Sequence, residues 1–361
     1  GFCLVGSEMC IRDRQGAALG APPRFPFYPM AGRMYEDVFL NAFADLQDGG
    51  GIEDFECTAR TYNGHRGNDN DIRGFAEQLI GVPVYAGADG TVIDTHDGEF
   101  DMNTSCVGLA NYVIIEHDGG RVSWYFHLQN GSVAVNVGDD VVAGQHIGNV
   151  GSSGCSGAPH LHFEVWDGDD WVEPHAGPCR PGVSLFEDQV PLRTETYLSD
   201  FGITHIDLNG VPGYPYDPPR SHQIETGDWW VYYWFSVKNL PADSTWRWQF
   251  DRPDGTTALD TGDGDWNNAF YPSSWWWFSW HVDDMGVITV TWNVRFFING
   301  EVVVEAPFEV VDTRDPAFNR APYAVTPSFD PAPPAPGEIV VCSLDTSLVH
   351  DDPDYDLTSY R

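Results

Sequence analysis

Between residues 55 and 181 apolar and polar positions alternate in short runs cut by glycine. This two-residue period predicts strands with one buried and one open face. The predicted strands are 83–85, 90–94, 111–117, 122–128, 145–150 and 160–166. Tight corners fall at Asp118-Gly119-Gly120 and at Gly151-Ser152-Ser153-Gly154. Residues 15–51 read as a proline-containing lead-in with a short helix over 34–46, ended by Gly49-Gly50-Gly51.

After about residue 190 the pattern stays β, but the composition changes. Eleven of the fourteen tryptophans lie between Trp229 and Trp292. Runs at 229–237, 246–250, 275–282 and 287–298 predict a second unit over 190–311, a β-sandwich of immunoglobulin-like size. A Pro-rich linker follows at 312–337. Residues 338–361 then read as the start of a truncated further β domain, and residues 1–14 resemble translated sequencing-adapter read-through, which removes Cys3 and Cys10 from fold reasoning. The expected fold class is all-β throughout.

A formal charge of −36 speaks against a cationic recognition surface, so neither nucleic acid nor an anionic membrane is an expected partner. No apolar stretch approaches the length of a membrane span. Lys238 is the only lysine. Cys57, Cys106, Cys155 and Cys179 fall within one glycine-rich unit and form no CxxC pair, which fits disulfides in an oxidising, secreted or cell-envelope setting. Four cysteines allow three pairings. A Cys155 to Cys179 bond would staple the loop before residue 160 to the exit of the unit. A monomer is the favoured state.

The chemistry concentrates in Gly157-Ala158-Pro159-His160-Leu161-His162-Phe163-Glu164-Val165. In a strand, His160 and His162 project from the same face about 6 to 7 Å apart, so one ring can hold a metal while the other reaches a bound substrate. Spacing alone leaves open which does which. His65 and Asp69 have helical spacing, yet Arg66-Gly67-Asn68 between them and Asn70 after them point to a loop entering a strand. Such a loop can bend both side chains onto one ion. His127 adds a fourth candidate imidazole. A catalytic zinc takes three protein ligands and keeps one position open, and two imidazoles with a carboxylate are a common set.

A lone His-x-His in a strand is usually structural, and the ordered set reverses that weighting. His96, His117, His146 and His175 lack such company and read as surface or core histidines. Trp275-Trp276-Trp277 with Trp280 reads as sandwich core rather than a sugar-stacking platform, and the carboxylates of 260–265 as a solvated turn rather than a calcium loop.

His65-x-x-x-Asp69, Tyr125-Phe126-His127-Leu128 and His160-Leu161-His162-Phe163-Glu164 occur in that order. Val135-x-x-Gly138-Asp139-x-Val141-x-x-Gly144-Gln145 stands between the last two. This set resembles the lysostaphin-type (LytM) zinc endopeptidases over roughly 55–181. Asn70 stands where that family often has an apolar residue. The resemblance implies a glycine-rich β-sheet peptidase domain of the duplicated hybrid motif type over 52–189. It implies Zn2+ held by His65, Asp69 and His162, with His127 and His160 as unliganded catalytic histidines. The implied substrate is peptidoglycan, at a cross-bridge or stem peptide, or another glycine-rich peptide. Many walls are anionic and would repel this chain at low salt, whereas about 1 M salt shortens the Debye length to about 3 Å.

Two rivals come from other classes. Residues 81–90 with 135–145 also resemble a biotinyl or lipoyl carrier, but that role needs a modifiable lysine and this unit has none. A catalytically silent peptidase-fold module that regulates another wall hydrolase is the other, and such relatives typically lack the zinc ligands present here.

Overall fold

A computed structural model of the chain describes residues 22–26, 28–266, 269–281, 291–315, 328–330 and 341–343. The predicted alternation is realised. In the strand His160–Asp167, Leu161, Phe163 and Val165 are buried to within 1%, whereas His160, His162, Glu164 and Trp166 face the other way and stay half-buried. In Arg121–Phe126 the pattern repeats, with Tyr125 inside and Trp124 and Phe126 on the open face.

Numbered in chain order, the first unit comprises β1 (Phe39–Ala42), β2 (Asn68–Asp71), α1 (Phe75–Ile80), β3 (Pro83–Tyr85), β4 (Gly90–His96), β5 (Ser105–Cys106) and β6 (Tyr112–Glu116). It continues with β7 (Arg121–Phe126), β8 (Asp140–Val141), β9 (His146–Asn149), β10 (Cys155–Ser156), β11 (His160–Asp167) and β12 (Asp170–Trp171). The large sheet runs β1-β2-β11-β7-β6-β4-β8, with β12 on β11. Its inner face packs Val92, Val113, Ile115, Tyr125 and Phe163 against Val84 and Ile147 of the small β3–β9 sheet. Every predicted strand of this unit is present, with ends shifted by a few residues.

The helix expected over 34–46 is not formed. Arg33 and Asp37 close a turn there, with backbone and side-chain bonds between them, and β1 then pairs antiparallel with β2. The β-prone run Val38-Phe39-Leu40 fills an edge and a core in one step, which a helix at that place would not do. The lead-in also inserts Phe25, 1% exposed, edge-on against Phe163. One short helix, α1, was not foreseen. Among the described residues no helix is long and apolar enough to cross a membrane.

The cysteines pair as Cys57 with Cys179 and Cys106 with Cys155. The expected Cys155 to Cys179 staple is therefore incorrect. Cys155 lies opposite Cys106 in the β5–β10 ladder, and the Cys179 amide donates to Phe55 O, which brings Cys179 to Cys57 instead.

The second unit is a two-sheet sandwich. Its smaller sheet is β13 (Tyr197–Thr204), β15 (Trp230–Leu240) and β19 (Tyr271–His281), in that order. The larger contains β14 (Gln223–Glu225), β16 (Thr245–Asp251), β17 (Thr257–Asp260), β18 (Gly264–Asp265), β20 (Thr291–Ile298) and β21 (Glu301–Val311). Between the sheets Trp248 stacks on Phe296 at 4.2 Å, and Trp280 stacks on Phe250 at 4.6 Å. Trp276 packs on this core, while Trp275 and Trp277 pack on the opposite face around Leu208 and Trp234. The core placement expected of the tryptophan run therefore holds for Trp276 and Trp280 but not for Trp275 and Trp277. Asp260, at the start of the carboxylate-rich 260–265 turn, accepts from Arg247 and Gln249. The strand expected from residue 338 is described only as β23 (Val341–Ser343), paired with β22 (Ser328–Asp330). The remaining residues of 316–361 and all of 1–14 lie outside the described residues.

The two units share a joint. Phe75 N donates to Pro215 O at 2.9 Å and Ala76 N to Asp217 Oδ2 at 2.6 Å. Lys238 of β15 reaches Asp71 of β2 at 3.0 Å, with both side chains about as buried as the core. Removing one partner from a buried ion pair strands the other charge, a loss of roughly 3 to 5 kcal/mol. Lys238→Met should therefore lower unfolding stability by about 3 kcal/mol in denaturant titration, and adding Asp71→Asn should restore most of it. A double variant as unstable as Lys238→Met alone would show that charge is not the cause.

His117 behaves as the core histidine expected. Its Nδ1 donates to Asp89 O at 2.7 Å, and Ser123 Oγ donates to its Nε2 at 2.7 Å. Burial pushes its pKa below the usual 6.5. Below that pH the unfolded chain gains a proton that the folded chain refuses, so this residue's share of stability is lost as pH falls. The melting temperature of the wild type relative to His117→Gln should drop between about pH 7.5 and about pH 5.

Candidate metal centre

The centre is assembled by register. In β11, His162 lies opposite Asp69 of β2 on one side and Phe126 of β7 on the other, while His160 lies opposite Asp71. His65 arrives on the loop before β2, which passes so close over β11 that a Cβ on Gly67 would meet Phe163 O at 2.6 Å and His162 Cε1 at 3.0 Å. That approach is open to glycine alone. His127 follows β7 directly and takes a left-handed backbone, φ 65°, which turns its ring back over the open face.

All five residues expected at the site converge there. His65 Nε2 is 3.2 Å from Asp69 Oδ1 and 3.2 Å from His162 Nδ1, and the latter two atoms are 2.8 Å apart. His65, Asp69 and His162 form the one cluster among the described residues able to hold a metal, with ligand atoms all within 4.8 Å. In a tetrahedron with bonds near 2.05 Å, neighbouring ligand atoms are about 3.3 Å apart. The triangle is close to that edge length.

The outward nitrogens give an independent test of fit. His65 Nδ1 donates to Phe43 O at 2.7 Å, and His162 Nε2 donates to Glu164 Oε1 at 2.8 Å. Each ring then offers its other nitrogen to the centre as a lone pair, the arrangement that fixes a metal-binding tautomer. Glu164 is held in turn by Trp166 Nε1 at 2.7 Å, and Tyr62 donates its hydroxyl to Asp69 Oδ2 at 3.2 Å while stacking on His65. The donor set fits a zinc ion.

Burial opposes charge throughout the site, and the neighbours decide the outcome. For Asp69 burial favours the neutral acid, but His160, His162 and His65 hold its pKa well below the usual carboxylate range. For His162 burial is outweighed by Asp69 and Glu164, which raise its pKa to about 9. A metal ion and that proton compete for the same Nδ1. His127 differs: burial, reinforced by His160 and His162, pushes its pKa well down, so it is neutral at pH 7. Its Nδ1 donates to Ser153 O at 2.7 Å, which leaves Nε2 an acceptor. For His160 partial burial disfavours the charged form, but Asp69 raises its pKa on balance, and its Nδ1 donates to Ala158 O at 2.8 Å. The two rings lie 4.6 Å apart, one shifted down and the other up, and such a split suits one as base and the other as acid.

Asn70 is buried and satisfied: Tyr28 of the lead-in donates its hydroxyl to Oδ1, and Nδ2 donates to Asn68 O at 3.1 Å. Glu164 follows the His160-Leu161-His162 motif, and strand alternation places it on the face of His162. Tyr62 and the carbonyls of Phe43 and Ser153 carry no signal in the sequence, because loops bring them in.

The sheet and the loop before β2 thus converge two imidazoles and a carboxylate, with two more imidazoles beside them. Residues 70–174 match the family model described as Peptidase family M23, and the chain carries an M23 domain of the lysostaphin type. His127, His160 and His162 lie inside the matched span, and His65 and Asp69 just before it. Glycyl-glycine endopeptidase ALE-1 of Staphylococcus capitis is 41% identical over 85 residues, 24% of this chain and 21% of its own length. Peptidoglycan DD-endopeptidase ShyA of Vibrio cholerae is 36% identical over 86 residues, 24% of this chain and 18% of its own. Murein hydrolase activator EnvC of Escherichia coli is 41% identical over 97 residues, 25% of this chain and 23% of its own. The chain thus spans about a fifth of the length of these curated relatives.

Proposed function

We propose that this protein is a zinc endopeptidase that hydrolyses peptide bonds in peptidoglycan, at a cross-bridge or stem peptide, outside the cell or in its envelope. His65, Asp69 and His162 hold the ion, and His127 and His160 handle protons. The catalytic unit is 52–189, completed at its edge by β1, and 190–311 is an immunoglobulin-like companion. The observation that carries this reading is the triangle of lone-pair atoms whose outward partners already fix both tautomers.

A bound zinc supplies Lewis acidity toward a carbonyl and a water whose pKa falls toward about 7. His127, neutral with a free Nε2, accepts a proton from an attacking water. His160, with its proton favoured by Asp69, donates toward the leaving amine or steadies the developing charge. Tyr62 and Glu164 hold the ligands in orientation. The names of ALE-1 and ShyA support a peptide link in the wall as the substrate. EnvC is named an activator, which supports a silent regulatory module as the second reading. The complete five-residue set favours the enzyme.

Zinc analysis of the purified chain should give about one ion per molecule. His162→Ala should lose it, whereas His127→Ala should keep it and lose turnover by about 10²- to 10⁴-fold. Equal zinc loss in both would overturn the division of roles. Peptidoglycans of differing cross-bridge, digested at low and high salt, should release new amino termini from at least one wall type, with mass analysis locating the bond. A zinc-loaded protein that cuts none of them is the silent module.

A further inference from the structure

Both unliganded imidazoles are anchored through Nδ1, and both anchors come from one short stretch of chain. Ser153 O receives His127, and Ala158 O receives His160, whose Nδ1 also lies 3.3 Å from Ser156 Oγ. Cys155 stands between those two carbonyls and is bonded to Cys106. The bond joins β10 to β5, a two-residue ladder that is not part of the large sheet.

Beside the disulfide, this stretch is held by hydrogen bonds: Ser152 N donates to Asp101 O at 2.8 Å, Asn103 N to Ser152 O at 3.0 Å, Asn111 N to Ser153 Oγ at 2.9 Å and Ser153 Oγ to Leu128 O at 2.9 Å. Its sequence, Gly151-Ser152-Ser153-Gly154-Cys155-Ser156-Gly157-Ala158, has no large apolar side chain to bury. Across the gap Asn103 Nδ2 donates to Gly154 O at 3.0 Å and Ser152 Oγ to Asn103 O at 2.7 Å. Such bonds contribute about 1 kcal/mol each because water competes for the same groups. Both cysteines are exposed, so the bond is open to solvent reagents. The outward anchors of the metal triad are elsewhere, at Phe43 O and Glu164.

We infer that the Cys106–Cys155 disulfide is a positioning element for His127 and His160 and not for the metal triad, so the state of this one bond separates turnover from metal binding. The inference rests on the reading of these two histidines as the proton-handling pair. It makes the enzyme dependent on an oxidising surrounding through geometry at the site, independently of any effect on overall stability.

The test uses the full chain carrying Cys57→Ala and Cys179→Ala, which leaves Cys106–Cys155 as the one disulfide among the described residues. A water-soluble phosphine delivers two electrons to the sulfur–sulfur bond, giving two thiols and, with oxygen from water, phosphine oxide. Reduction should lower kcat on a cross-linked wall peptide about 10- to 100-fold, the scale of an ångström-level misplacement. KM should stay within about twofold and zinc near one per chain, and reoxidation should restore kcat. The downfield Nδ1–H proton signals of His127 and His160 should vanish on reduction. Cys106→Ala with Cys155→Ala in the otherwise intact chain should reproduce the reduced state below its melting temperature, which keeps the test open if the first variant folds poorly. Unchanged kcat after reduction, or zinc lost in step with activity, overturns the inference. If the oxidised protein cuts no peptide, the proton-handling reading falls, and the imidazole signals alone decide: their persistence after reduction overturns the positioning role.

Discussion

The site depends on the antiparallel register of β11 between β2 and β7. Sliding β11 by one residue would exchange its faces, sending Leu161 and Phe163 into solvent and His160 and His162 into the core. The apolar side chains therefore enforce the register, and the histidines inherit it. Burial of Phe163 and Val165 to within 1% sets the distance between His162 and Asp69 as surely as any bond at the centre does.

Around that fixed pair the loops contribute precision. His65 is placed by Gly67 and by Phe43 O, His162 by Glu164, and His127 by a backbone turn that a non-glycine residue adopts only at a cost. The sheet brings donors to one place, and hydrogen bonds from loops choose which nitrogen of each ring faces inward. The sheet alone would give three side chains in contact without a defined protonation pattern.

How much of this was legible in the sequence follows the same division. Strands with a clear two-residue period, such as 83–85 and 160–166, were readable because each residue's environment is set by its immediate neighbours. The five site residues were readable as an ordered set. Their roles came from family resemblance, since His160 and His162 share one face and differ only through partners distant in the chain. The helix expected over 34–46 failed because the pairing of β1 with β2 outweighs local preference. The disulfide pairing failed because it is decided by the β5–β10 ladder, whose two-residue strands leave no periodic trace. Tyr62, Phe43 and Ser153 act through loop geometry, which a one-dimensional pattern does not encode.

The joint between the units has a chemical consequence of another kind. Every other cationic side chain in the sequence is a guanidinium or an imidazole, and the one primary amine among the side chains is buried against Asp71. An amine-directed label therefore finds no lysine on the folded surface and reaches Lys238 only when β15 separates from β2. The residue that ties the sandwich to the large sheet of the first unit is also a built-in reporter of whether that tie is closed.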